Sequence, residues 1–211
     1  MRKYLYGLAA FVLAFAILSV TVLRCCSVVS FASNNYTLTP SSSPTPTPMP
    51  QVLYNLAYPG SILPDNWLWY LKAIRDRIQY LVTTNPLKKA ELGLLYSDKR
   101  LAASLTLFQE KKPDVAVSTL EKGEKYLDQS YSDAAKAKKE GINTSDFLTK
   151  LATSALKHRQ IIEEQIMPLA PEDVRPEIVK TEDSSKNLYK LCKSELESMG
   201  IAAPKDPFNG Q

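Results

Sequence analysis

The residues best suited to chemistry in this chain are few and scattered: one histidine, His158, and three cysteines, Cys25, Cys26 and Cys192. His158 falls on an apolar stripe with Leu148, Leu151, Ala155, Ile162 and Ile166, so it is expected to pack against its neighbours or sit at the edge of that stripe. No second His or Cys lies at metal-ligand spacing from it, which a zinc site would need. Haem ligation by His158 and Met167 fails as well, because nine residues of helix turn the two to opposite sides. Cys192 in principle could pair with His158 as nucleophile and base, but it lies on an inward stripe and reads as a small core residue. Adjacent carboxylates occur at Glu163-Glu164 and Glu172-Asp173. Neighbours on a helix point about 100° apart, so neither pair converges on a substrate. The chain has neither the Gly-x-x-x-x-Gly-Lys nor the Gly-x-Gly-x-x-Gly phosphate-binding pattern. The expectation is no catalytic residue, no metal and no cofactor.

The most distinctive local feature is aromatic. Trp67-Leu68-Trp69-Tyr70-Leu71 holds both tryptophans of the chain. Two arrangements fit it: a first helix sandwiched inside a bundle, or an exposed patch meeting a membrane surface or a partner. Trp67, Trp69 and Tyr70 are therefore the candidate interaction or pocket residues.

The elements that would position these residues follow from periodicity. Pro64-Asp65-Asn66 supplies a helix start, and Trp67, Leu71, Ile74, Ile78 and Leu81 recur at helical spacing over 66–83, with Lys72, Arg75, Asp76 and Arg77 on the polar side. A second helix, about 86–110, repeats Leu87, Leu94, Leu101 and Phe108 every seven residues, with Ala90, Ser97 and Ser104 between them. A third, about 114–140, continues with Ala116, Leu120, Gly123, Leu127, Ala134 and Ala137 after the turn at Lys111-Lys112-Pro113-Asp114. Together they predict a long antiparallel hairpin. Asn143, Thr144 or Ser145 caps a fourth helix running to about Met167. A fifth reaches Ser198 with Val174, Ile178, Leu188, Leu191, Cys192, Leu196 and Met199 inward, and stops at Gly200. The fold class is all-α, an antiparallel bundle of about five helices.

Ahead of the bundle, residues 4–23 carry no charge and at about 1.5 Å per residue span roughly 30 Å, the thickness of a bilayer core. Arg2 and Lys3 precede this run, and after Arg24 the next cation is Lys72. The positive-inside bias places the N-terminus in the cytoplasm and the domain outside the cell membrane, as a single-pass protein. Small residues at Ser30 and Ala32 also offer cleavage after Ala32, which would give a secreted domain. Cys25 and Cys26, at the outer boundary, are candidate lipid attachment points, although Leu23-Arg24 lacks the small residue that a lipoprotein signal places before its cysteine. Residues 33–56 form a Ser/Thr/Pro-rich linker with Pro40, Pro44, Pro46, Pro48 and Pro50, which favours extended conformers. The boundaries are thus 1–32 for the anchor or signal, 33–56 for the linker, 57–200 for the helical domain and 201–211 for a tail.

The formal charge is +4. Arg2, Lys3 and Arg24 account for most of that excess, leaving a near-neutral domain without the basic stripe that nucleic acid requires. The partners expected are the membrane, through the N-terminal helix, and a protein or cell-envelope component.

The runs Ile62-Leu63-Pro64-Asp65-Asn66-Trp67-Leu68-Trp69-Tyr70-Leu71-Lys72, Asn85-Pro86-Leu87-Lys88-Lys89-Ala90-Glu91-Leu92, Asp98-Lys99-Arg100-Leu101-Ala102, Lys112-Pro113-Asp114-Val115-Ala116 and Leu120-Glu121-Lys122-Gly123 resemble an uncharacterised prokaryotic family. Its members carry a domain of unknown function that typically begins Leu-Pro-Asp-x-Pro-Leu-Tyr-x-Leu-Lys. The similarity covers about 60–130 and departs from the pattern at Trp67, where proline is usual. The resemblance implies an extracytoplasmic helical domain behind a signal or anchor, and it supplies no catalytic residues.

Overall fold

A computed structural model describes residues 51–208. The expected anchor, Cys25, Cys26 and most of the expected linker lie outside the described residues. Within them the chain is all-helical, with no strand, and no helix is long and apolar enough to cross a membrane. Five α-helices follow in order: α1 Trp69–Val82, α2 Pro86–Gln109, α3 Pro113–Lys139, α4 Ser145–Ile161 and α5 Arg175–Ser198.

The α2–α3 hairpin is the spine. Asn85 caps α2 by accepting the Lys88 N–H on Oδ1 at 2.9 Å, and Pro86 and Pro113 open α2 and α3 where a missing N–H costs nothing. Leu94, Leu101 and Phe108 face Ala116, Leu120 and Leu127, and all six are buried. The two backbones approach closely because small residues line the seam. A Cβ on Gly93 would stand 3.2 Å from Ser130 Cβ and 3.3 Å from the Tyr126 carbonyl oxygen, and one on Gly123 would stand 3.2 Å from Arg100 Cβ. Ser104 and Ser130 tie the seam by donating across it, to the carbonyls of Ala116 at 2.8 Å and Ala90 at 2.9 Å.

α4 and α5 close the bundle with two apolar clusters. One joins Leu94 and Leu127 to Leu148, Leu151, Leu188, Cys192 and Leu196. The other joins Leu101, Leu107 and Leu120 to Ile162, Ile166 and Ile178. The fourth helical stretch does not run evenly to Met167. It turns π-helical at Ile162–Ile166 and then 3-10 at Met167–Leu169, a turn that contains Pro168 and precedes Pro171. Both Ile162 and Ile166 stay fully buried through the change. On α5, Leu191 is half exposed rather than inward, because Leu188, Cys192 and Leu196 already fill the buried face.

The packed core takes in residues on both flanks of 57–200. Val52 and Phe208 are buried against the first cluster, with Tyr54, Ile201 and Ala203 partly buried beside them. Tyr189 donates to the Pro204 carbonyl at 2.6 Å, and Arg159 stacks over Phe208 at 4.3 Å.

α1 is the exception to the inward rule. The stripe of Trp67, Leu71, Ile74, Ile78 and Leu81, which fitted either a sandwiched helix or an exposed patch, faces solvent: Trp67 is 73% exposed, Leu71 60%, Ile74 56%, Ile78 46% and Leu81 64%. The opposite, polar side meets the bundle. The physical reason is the surface it meets, which is formed by Tyr96, Arg100 and Tyr126 rather than by aliphatic side chains.

Candidate functional site

Two features stand apart from ordinary core packing: the seam that turns α1 inside out, and a buried network around His158.

At the seam, Trp69, Lys72, Asp76, Gln79 and Tyr80 recur at helical spacing on one face of α1. Trp69 is held between two cations, with Lys72 Nζ 4.6 Å and Arg100 5.9 Å from its ring centroid. Arg100 also lies 4.4 Å over Tyr126, whose ring meets Tyr80 and Tyr96 edge-on at 6.3 Å and 5.7 Å. Gln79 accepts from Tyr96 Oη at 3.1 Å, and Tyr80 donates to Asp133. Asp76 is buried and takes Arg75 Nη2 at 2.6 Å. Burial lowers Lys72, Lys99 and Arg100, and the Asp76 carboxylate opposes that shift in all three. A polar, cation–aromatic surface of this kind satisfies the polar side of α1 and leaves its apolar side with no core to enter.

Of the sequence-derived candidates, Trp67 and Tyr70 lie on the solvent face, 73% and 70% exposed, while Trp69 is in the seam. The cluster is thus divided, with two rings outward and one inward. The signal for that division was present in the 69–72–76–79 spacing of residues with polar or cationic partners.

The second feature escaped the sequence reading. His158 is fully buried between two carboxylates: Nδ1 donates to Glu124 Oε1 at 2.7 Å and Nε2 to Asp98 Oδ1 at 3.1 Å. Three hydroxyls complete the shell. Tyr54 Oη donates to Asp98 Oδ2 at 2.8 Å, Ser154 Oγ to Asp98 Oδ1 at 3.0 Å, and Ser185 Oγ to Glu124 Oε2 at 2.6 Å. Burial by itself pushes the imidazole down, but Glu124 and Asp98 outweigh it and raise the pKa from 6.5 to about 9, so His158 is an imidazolium at neutral pH. Tyr54 is driven well above the usual phenol range by burial and by Asp98 beside it.

The network joins α2, α3, α4, α5 and the segment before α1 at one point. Chemically it is closed. Both ring nitrogens are spent on carboxylates, and the serine hydroxyls donate to those carboxylates rather than to the ring, so the imidazole has no open position from which to take a nucleophile's proton. Cys192 is fully buried and its thiol is pushed up to about 12, chiefly by burial, which removes thiolate character.

Two surface cavities flank α5. One of about 230 Å³ is lined by Arg159, Ser185, Lys186, Tyr189, Lys190 and Lys193, among others. A more open one of about 550 Å³ lies by Tyr131, Lys138, Leu191 and Glu195. Neither includes Trp67, Trp69 or Tyr70.

No curated protein and no solved structure matches the chain. One family model does, over residues 61–172, from the segment ahead of α1 through the 3-10 turn, a stretch that holds the α1 seam and the Asp98–Glu124–His158 core of the network. That match spans just over half of the chain, which therefore belongs to the family described as a domain of unknown function (DUF5667).

Proposed function

We propose that this protein is a membrane-anchored, non-catalytic interaction module, displayed on the outer side of the membrane, that engages a protein or cell-envelope component through the outward face of α1. The observation that carries this reading is the exposure of a continuous apolar stripe on a helix whose polar side is the one built into the bundle. Exposed contiguous apolar surface of this extent marks a binding face in soluble domains. The charge-free run at 4–23 and the proline-rich stretch behind it support the anchored, outward placement. The closed His158 network supports a structural role for the only histidine.

A photocrosslinking residue at Ile74, in intact cells, tests the module directly. The reading expects covalent capture of a partner at position 74 and none at Lys122, an exposed position on α3. Equal yields at both sites would contradict it.

The cavity beside α5 favours a second reading, a bundle that binds a small anionic molecule. Arg159, Lys186, Lys190 and Lys193 bring four cations to its wall, against Asp206. Arg159 and Lys186 are already engaged with Glu163 and Glu182, at 2.9 Å and 2.5 Å, and Lys193 stands 3.9 Å from Glu197, so Lys190 and the loosely paired Lys193 are the cations that would attract a ligand. Thermal-shift screening against small anions separates the two readings, since a ligand that binds only the folded state must raise the melting temperature.

A further inference from the structure

We infer that the outward face of α1 docks on an anionic lipid surface, laying this helix flat on the bilayer to which the chain is tethered. The inference rests on the anchored-module reading and names its partner. Its geometry is that of an interfacial helix. At about 100° per residue, Tyr70, Leu71, Ile74, Ile78 and Leu81 fall within an arc of roughly 100°, Arg77 and Arg75 stand just beyond its two edges, and Trp67 is exposed in the turn that leads into the helix. Both arginines are exposed; Arg75 gives Nε and Nη2 to Asp76, and Arg77 has the reach to meet headgroups while the stripe enters the acyl boundary. Trp67 and Tyr70, at the N-terminal end, are the residue types that settle at that boundary.

Charge decides between a lipid surface and a second copy of the chain. From Asn66 to Ala90 the only acidic residue is Asp76, which is buried and bonded to Arg75; of the other cations in that stretch Lys72 is taken up in the seam and Lys89 lies over Tyr80, while Arg77 and Lys88 are exposed. Two copies pairing stripe to stripe would set arginine against arginine, with no carboxylate on that face to separate them. Phosphate headgroups supply the missing countercharge. The position of the helix in the chain points the same way. The charge-free run ends at Leu23, residues 24–50 lead from it to the described domain, and α1 is the first helix of that domain. A tether of that length raises the effective concentration of the helix at the bilayer to the millimolar range, so a weak interfacial affinity suffices.

The chain's two tryptophans, Trp67 in the turn ahead of α1 and Trp69 at its first position, make this face its own reporter. The full chain is reconstituted into phosphatidylcholine vesicles with or without phosphatidylglycerol, recovered by flotation, and its emission compared with ordinary and with brominated acyl chains. Because Trp69 is held in the seam, docking predicts that up to about half of the emission, the share of Trp67, is lost on brominated lipid when phosphatidylglycerol is present. The loss should be smaller without that lipid and largely absent in Trp67→Phe and in Ile74→Glu/Leu81→Glu. A crosslinker at Leu71 is run in parallel. Emission indifferent to bromine, with Leu71 captured by a protein or by a second copy, overturns lipid docking and leaves the interaction module standing. No quenching and no capture removes both.

Discussion

His158 shows how one residue can be placed correctly on a helix face and still be misjudged. Its stripe with Leu151, Ala155 and Ile162 was legible, and all four are buried. The partners were not, because Asp98 and Glu124 sit on other helices, 60 and 34 residues away, and no local spacing announces them. An imidazolium between two buried carboxylates is costly to dismantle from one side. Replacing His158 with Leu leaves both acids without their cation, and a loss of about 3–5 kcal/mol is expected in urea denaturation. The same geometry fixes a pH dependence. The folded pKa, about 9, exceeds the ordinary 6.5, so the contribution is complete below pH 6.5 and is lost as pH rises through 9. The melting temperature should therefore fall between pH 7 and pH 10. Scanning calorimetry should find a shallower fall in His158→Gln, and an equal slope in the two proteins would contradict the imidazolium.

At the scale of the element, the hairpin and α1 are instructive opposites. In α2 and α3 the apolar and small residues at alternating spacings predicted both the helices and their buried faces, because each helix meets another aliphatic surface. Gly93 and Gly123 sit where those surfaces come closest. Gly93→Leu should destabilise by about 2 kcal/mol or more, since the new side chain would have to displace Ser130 and the Tyr126 carbonyl, and this would outweigh the helix propensity it gains. Circular dichroism melts would measure it. In α1 the period was equally clear and the helix formed, yet the period did not choose between a buried and an exposed stripe, and the stripe is exposed. Apolar periodicity reports which residues share a face and not what that face will meet. Here Tyr96, Arg100 and Tyr126 offer the neighbouring helix a cation–aromatic surface, and Trp69, Lys72, Gln79 and Tyr80 are the residues that fit it. The end of the fourth helical stretch was also out of reach: Pro168 gave the stop, but nothing in Ile162–Ile166 distinguishes a π-helical turn from an α-helical one.

For the whole molecule, the number of helices, the hairpin and the resemblance to a family of unknown function were readable from the chain, and the family match over 61–172 accords with that resemblance. What the sequence hid was closure from both ends. Val52 and Tyr54 bind the bundle through Gln160 and Asp98, and Phe208 returns over Arg159, although both flanks are rich in linker-type residues. Phe208→Ala should cost about 2–3 kcal/mol, read as a lowered denaturation midpoint at unchanged slope. If α1 lends its apolar side to the outside of the molecule for binding, one double variant should separate binding from folding. Ile74→Glu/Leu81→Glu, compared with wild type for melting temperature and for capture from the Leu71 crosslinker in the same cells, should melt within about 2 °C of wild type, as surface changes do. It should also lose that capture, of lipid or protein. A melting temperature lowered by many degrees would mean that the stripe is buried in the working protein, and undiminished capture would mean that binding lies elsewhere.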